Sequence, residues 1–170
     1  IYKFVLRELP RILVAQAEHA NPLYRSFSND FAPLEPLEAQ ATQASAIRIG
    51  NPVSFPKAVK ALKACDGLVS SVSEEALTKS ARLADERGLY LCPHTAVAQA
   101  ALERAIEDGH IPKGSSVVIV STAHGLKFTE FKQATTTDSV PEASLGSSRV
   151  PIEVAHDYNA VKDAALSKSA

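Results

Sequence analysis

Short, nearly continuous apolar runs alternate along this chain with amphipathic stretches of helical period, and that alternation constrains the fold more than any other feature. Leu9 to Gln16 opens with Pro10 and runs through Ile12, Leu13, Val14 and Ala15. This is the pattern of a strand covered on both faces, as in a parallel sheet. Gly67 to Val72 repeats it, Leu89 to Leu91 adds a short strand, and Ser115 to Ser121 (SSVVIVS) is the clearest buried strand of all. Helical segments lie between. Pro22 to Phe27 follows Asn21 as N-cap, and a helix capped by Ser54 runs through Cys65 with Phe55, Ala58, Val59 and Leu62 inward. Ser73 caps the next, with Glu74 and Glu75 suiting the positive end of its dipole. Its buried stripe is Ala76, Leu77, Ser80, Leu83 and Ala84, and Gly88 stands just past its end. Thr95 to Asp108 turns Ala98, Ala101, Leu102, Ala105 and Ile106 inward and closes at Gly109. Strand and helix thus alternate with short turns, which predicts an α/β fold: a mostly parallel sheet with flanking helices.

The remainder is connective. Asn29 to Gln43, with Pro33 and Pro36, reads as a loop, and Ala134 to Ser148, rich in Thr, Ser and Ala, as a connector before a last surface helix over His156 to Ser167. No repeat is evident. A length of 170 residues suits one ordinary domain. Eighteen Lys and Arg stand against nineteen Asp and Glu, so no basic excess marks a partner such as nucleic acid or an anionic membrane. The longest apolar runs are too short to span a bilayer. Two cysteines, Cys65 and Cys92, fit a reduced, cytoplasmic compartment better than a secreted one. The chain opens at Ile1, contains no methionine, and has Lys3, Arg7 and Glu8 where a signal peptide would be apolar. The expectation is a piece of a longer protein.

In open parallel sheets, ligands sit beyond the carboxyl ends of the strands. Two polar stretches fall at such ends: Cys92-Pro93-His94-Thr95 and Ser121-Thr122-Ala123-His124-Gly125. Gly125 would let the backbone turn sharply away. Plainer roles compete at each position. Thr122 equally suits an N-cap for Leu126 to Gln133. His94 and His124 fit orienting or packing roles, Cys92 a small buried hydrophobe, and Glu38, Glu74, Glu75 and Asp85 a solvated face. The five histidines and two cysteines match no zinc spacing, so no metal is expected. The seven glycines never cluster into a phosphate cradle, and dinucleotide, P-loop and nucleophile-elbow motifs are missing.

Several of these stretches resemble the threonine synthase family. They are Leu9-Pro10-Arg11 through Gln16-Ala17-Glu18, Ala20-Asn21-Pro22-Leu23-Tyr24, and Ala44-Ser45-Ala46-Ile47-Arg48-Ile49-Gly50-Asn51-Pro52-Val53-Ser54. Cys92-Pro93-His94-Thr95-Ala96-Val97-Ala98 and, above all, Val120-Ser121-Thr122-Ala123-His124-Gly125-Leu126-Lys127-Phe128 complete the set. The resemblance covers residues 1–132 in order and fades after Lys132, leaving 133–170 as a divergent tail. Ala96 departs from the glycine frequent in the family and implies a slightly tighter local turn. The resemblance implies the C-terminal part of a fold type II enzyme dependent on pyridoxal 5'-phosphate, a phosphate-eliminating lyase. Its reaction would convert O-phospho-L-homoserine and water to L-threonine and phosphate.

In that family the Schiff-base lysine and the phosphate loop lie upstream of this segment, so no catalytic residue is expected here and the isolated chain should be inactive. Thr122 matches the family position whose hydroxyl meets the pyridine nitrogen of the cofactor. Ala46, Cys92 and His94 sit in matching motifs as weaker candidates for the pocket wall. A homodimer is implied by the family alone, and regulation by S-adenosylmethionine would depend on segments upstream. A cysteate synthase-like enzyme is the nearest alternative, because substrate choice rests largely on upstream residues. The S-T-A-H-G-L-K-F run argues against a threonine dehydratase. A non-catalytic binding module derived from the same lobe is the alternative from another class.

Overall fold

Two parallel strands, β1 (Leu13–Ala17) and β2 (Leu68–Val72), form the centre of the first part of the chain, paired from Leu13 with Leu68 to Ala17 with Val72. The computed structural model describes residues 9–137 and 152–167, and the chain divides into two units, Ile1–Lys127 and Phe128–Ala170. Helices α1 (Pro22–Ser28) and α2 (Phe55–Ala64) make the crossover between the strands, followed by α3 (Glu74–Glu86) and α4 (Pro93–Glu107). This is the expected α/β architecture.

Side chains alternate across each strand. Val14 and Val69 join Leu23, Leu62, Phe27, Phe55, Ala58 and Val59 in an apolar cluster under α1 and α2. α4 lies along both strands and packs closely on α3. That second layer sets Leu77 on α3 and Val97 on α4 among many small residues: Ala81 and Ala84 on α3, and Ala96, Ala100, Ala101 and Ala105 on α4. Arg11, just ahead of β1, donates to the carbonyls of Asp66 and His110 at 2.6 and 3.0 Å, tying together the turns before β2 and after α4.

The helix ends mix expected and unexpected chemistry. Ser73 caps α3 by accepting from the Ala76 amide at 3.1 Å, and Gly88 and Gly109 follow α3 and α4 with φ of 78° and 75°. Asn21 does not cap α1, because the Tyr24 amide it would satisfy is taken by Gln16 Oε1 at 2.9 Å. Asn21 instead donates to Ser71 Oγ across to β2. Ser54 does not cap α2 either; its ψ of 8° is not the extended conformation that aims a capping side chain back at the helix.

Four expectations of strand and face need correction. Ser115 to Ser121 forms no strand: Val118 is 89% exposed and Val120 is 75% exposed. An apolar run becomes a strand only when a neighbour offers it a ladder, and none of the described residues does so here. Leu89 to Leu91 is reduced to one antiparallel bridge, Leu91 with His124. On α4 the buried face is rotated from the one expected, leaving Ile106 50% exposed, because a helix so rich in alanine carries little contrast between faces. On α3, Ala81 is buried while Ala76 and Leu83 are only partly so.

The second unit contains α5 (Thr129–Thr137), where the connector was expected to begin, and α6 (Tyr158–Ser167). Residues 138–148 of that connector lie outside the described residues. The last helix appears as expected, with Asp157 Oδ1 accepting from the Asn159 and Ala160 amides.

Two substitutions test this packing. Leu77→Ala empties a fully buried position on α3 and should lower unfolding free energy by about 2–5 kcal/mol in urea titrations. Gly50→Ala would push a methyl group into the Leu37 carbonyl, whose own amide is bound by the Gly50 carbonyl at 3.0 Å. It should cost about 1–3 kcal/mol in the same titration, since backbone must move to admit the methyl.

Candidate functional site

The carboxyl ends of β1 and β2 carry Glu18 and His19 on one side and Ser73 and Glu74 on the other. The stretch 40–47 is folded over them. Gln40 donates its amide to the His19 carbonyl, Gln43 its amide to Glu74 Oε2, both at 3.0 Å, and the His19 ring meets the Ala41 carbonyl at 2.7 Å. This brings the 3₁₀ turn Ser45–Ile47 to the N-terminus of α4, where the Ala46 amide donates to His94 Nε2 at 2.9 Å. That bond places the ring proton on Nδ1 of the neutral imidazole.

Cys92 is the N-cap of α4 and is wholly buried. Its backbone is extended (ψ 162°), and its sulfur accepts from the Thr95 amide at 3.4 Å, while Thr95 Oγ1 lies 3.1 Å from the same sulfur. Pro93 at the first helical position removes one of the amides that would otherwise need a partner. The second stretch docks on this cap. Thr122 Oγ1 lies 4.0 Å from Cys92 Sγ, Ser121 Oγ lies 3.4 Å from Thr95 Oγ1, and the Ala123 amide bonds to Cys92. Gly125 donates its amide to the Tyr90 carbonyl at 2.9 Å, and the His124 ring rests beside Tyr90 at 5.8 Å between centroids.

All four candidates, Ala46, Cys92, His94 and Thr122, therefore meet at one place, the α4 N-terminus beyond the strand ends. Thr122 is exposed, and its hydroxyl is reachable from solvent. Cys92 is more than the small buried hydrophobe expected, because its sulfur joins the two stretches. Burial pushes its thiol up, but its hydrogen bonds with Thr95, Thr122 and the Ala123 backbone outweigh burial and hold it below the ordinary thiol value. His124 keeps a packing and orienting role, accepting from the Leu126 amide at 3.2 Å. Gly125 opens a 3₁₀ turn rather than taking a left-handed conformation. Among the described residues no group of three or more His, Cys, Asp or Glu could hold a metal, and no helix is long and apolar enough to cross a membrane. Thr95 and Ser121 were missed as contributors. For Thr95 the available signal was the Cys-x-x-Thr spacing at a helix start, which sets an N-cap side chain against the amide three residues on.

Residues 2–123 match the family of pyridoxal-phosphate dependent enzymes. The chain belongs to that family. It is 42% identical over 156 residues to the chloroplastic threonine synthase 2 of Arabidopsis thaliana, covering 91% of this chain and 30% of that protein. It is 31% identical to the threonine synthase of Methanocaldococcus jannaschii, covering 93% of this chain and 36% of the relative. The chain thus spans about a third of the length of these relatives. The crystal structure of threonine synthase from Escherichia coli shares the fold, with a TM-score of 0.60 and 20% identity over 93% of this chain and 37% of that one. The fold type II α/β architecture expected of this pyridoxal-phosphate dependent family is the one observed.

The His94 contact carries a pH signature. Burial lowers the His94 pKa below the ordinary imidazole value, so the folded state binds this proton less readily than the unfolded chain. Its contribution to stability is complete above about pH 6.5 and is lost as pH falls through the lowered folded value. Urea midpoints measured across that range should fall faster for the native chain than for His94→Gln, which keeps an acceptor for the Ala46 amide and cannot titrate.

Proposed function

We propose that this chain is the C-terminal part of a threonine synthase and that the segments around Ala46, Cys92 and Thr122 supply one wall of the cofactor site. The complete enzyme would convert O-phospho-L-homoserine and water to L-threonine and phosphate, as a cytoplasmic homodimer. The observation that carries the reading is the exposed Thr122, whose hydroxyl lies 4.0 Å from the buried Cys92 sulfur, itself bonded to Thr95 and the Ala123 backbone, with no carboxylate among these groups. That donor set fits a pyridine ring nitrogen. Ala46, Cys92 and His94 would form the adjoining wall.

Bound there, pyridoxal phosphate supplies an electron sink for carbanion charge on the substrate. Thr122 tunes that sink. Its hydroxyl would hold the ring nitrogen as a neutral donor, where a carboxylate would keep a proton on that nitrogen and strengthen the withdrawal. His94, neutral and bonded to the Ala46 amide, keeps the turn over the strand ends in place without adding charge. The lysine that carries the cofactor lies, on this reading, upstream of this chain, and the chain alone would be colourless and inactive. The exposed run Val117 to Val120 fits the same view, since the rest of a longer polypeptide would offer it a neighbouring strand.

The reading is tested in the complete enzyme by replacing Thr122. Thr122→Asp should shift the absorption band of the bound cofactor, and Thr122→Val should lower kcat/KM about tenfold, the value of one lost hydrogen bond to a reacting group. Thr122→Ser should retain both properties. Unchanged spectra and kinetics in the Asp variant would reject the role.

A further inference from the structure

The hydroxyl of Thr122 has one proton, and a donor aimed at a ring nitrogen needs its oxygen held by something else. The surroundings supply a single buried group for this. Cys92 Sγ is 0% exposed, sits 4.0 Å from Thr122 Oγ1 and 3.1 Å from Thr95 Oγ1, and accepts from the Thr95 amide at 3.4 Å. The segment that carries Thr122 has little else to fix it locally. Ser115 to Ser121 runs up to it without a strand partner among the described residues, and Val118 and Val120 stand in solvent. The contacts that hold positions 121–125 come from 90–95: Ser121 with Thr95, Ala123 with Cys92, His124 with Leu91 and Gly125 with Tyr90.

We propose that Cys92 is a positioning residue for Thr122: its buried thiol gives its proton to Thr122 Oγ1 and so directs the Thr122 hydroxyl proton outward, to the ring nitrogen of the cofactor. The inference rests on the reading of Thr122 given above and deepens it. The donors form one directed chain. The Thr95 amide and hydroxyl donate to sulfur, the S–H donates to Thr122 Oγ1, and the Thr122 O–H is left for the ligand. Deletion of the sulfur breaks the chain in its middle. The Thr122 hydroxyl is then free to turn toward Ser121 or solvent. A serine at 92 can accept the same Thr95 amide and so preserves the cap, but its shorter C–O bond leaves its hydroxyl out of hydrogen-bond reach of Thr122 Oγ1, which already lies 4.0 Å from the sulfur. Alanine preserves neither the cap nor the chain. The thiol must also stay protonated for this; burial of the sulfur favours the proton, and the hydrogen bonds to the sulfur, which outweigh burial, oppose it.

The test is a double-variant cycle in the complete enzyme, read by the absorption band of bound pyridoxal phosphate and by fluorescence titration with pyridoxal phosphate, with thermal unfolding in parallel. Cys92→Ala should weaken cofactor binding about fivefold, the worth of one net hydrogen bond, and shift the band in the same direction as Thr122→Val. Cys92→Ser should restore the unfolding temperature through the cap while leaving the band and the affinity as in Cys92→Ala, and the Cys92→Ala/Thr122→Val double variant should match Thr122→Val alone. If Thr122→Val shifts the band and Cys92→Ala does not, or if the two effects add, the positioning role is overturned and Thr122 keeps its own. If Cys92→Ala merely lowers the unfolding temperature with the band unmoved, the sulfur is a helix cap only and the proposal fails. If Thr122→Val itself leaves band and affinity unchanged, the reading of Thr122 fails first and this inference falls with it.

Discussion

The N-terminus of α4 is buried, and a buried helix start must find acceptors for amides that have no partner inside the helix. Everything at the strand ends follows from how that demand is met. Pro93 removes one donor, and Cys92 Sγ takes the Thr95 amide. A serine or aspartate is the commoner solution, since their oxygens cap more strongly than sulfur. An aspartate here would place a carboxylate beside Thr122. The charge would pull the Thr122 proton inward and favour protonation of any ring nitrogen the hydroxyl faced. A thiol caps less well but leaves the site neutral and offers a proton of its own. The choice of a weak cap is therefore consistent with a site whose task depends on the absence of charge.

The same logic explains what could be read from the sequence. The strand patterns around Leu13 and Leu68 were legible, because both strands pair within the described chain. The run at Val117 to Val120 has a purer apolar pattern and forms no strand, because pattern records what a segment can bury and not whether a neighbour is present. Ser73 was legible as a cap, its backbone being extended. Asn21 was not, because Gln16, eight residues before Tyr24, reaches the amide first. Local propensity could not anticipate a competing acceptor brought in by tertiary contact.

The candidate site was legible as two motifs, and their junction was hidden. Nothing in the spacing between Cys92 and Thr122 announces a contact over thirty positions. The motifs became a site because the parallel arrangement turns both carboxyl ends the same way, and because the 40–47 stretch folds back over them through His19 and Glu74. Ala46 shows the limit most clearly. Its side chain has no chemistry, and its place in the site rests on a backbone amide that any residue but proline could supply.

The precision of this junction depends on α4 being held in register, and its buried face does that with little apolar area. Alanines at 96, 100, 101 and 105 let the helix approach β1, β2 and α3 closely, but small side chains slide more easily than interlocked large ones. A polar contact removes that freedom. Ser80, fully buried on α3, reaches Glu103 Oε1 at 3.3 Å, and Gln99 donates to the same oxygen at 3.0 Å. A slip of α4 by one residue would carry Cys92 roughly 1.5 Å along the helix axis and break this part-buried contact at the same time. The contact between α3 and α4, remote from the strand ends, thus helps set the distance between the Cys92 sulfur and the Thr122 hydroxyl. Closely packed small residues bring the helix near, and a part-buried hydroxyl–carboxylate pair helps fix where along its axis it stops.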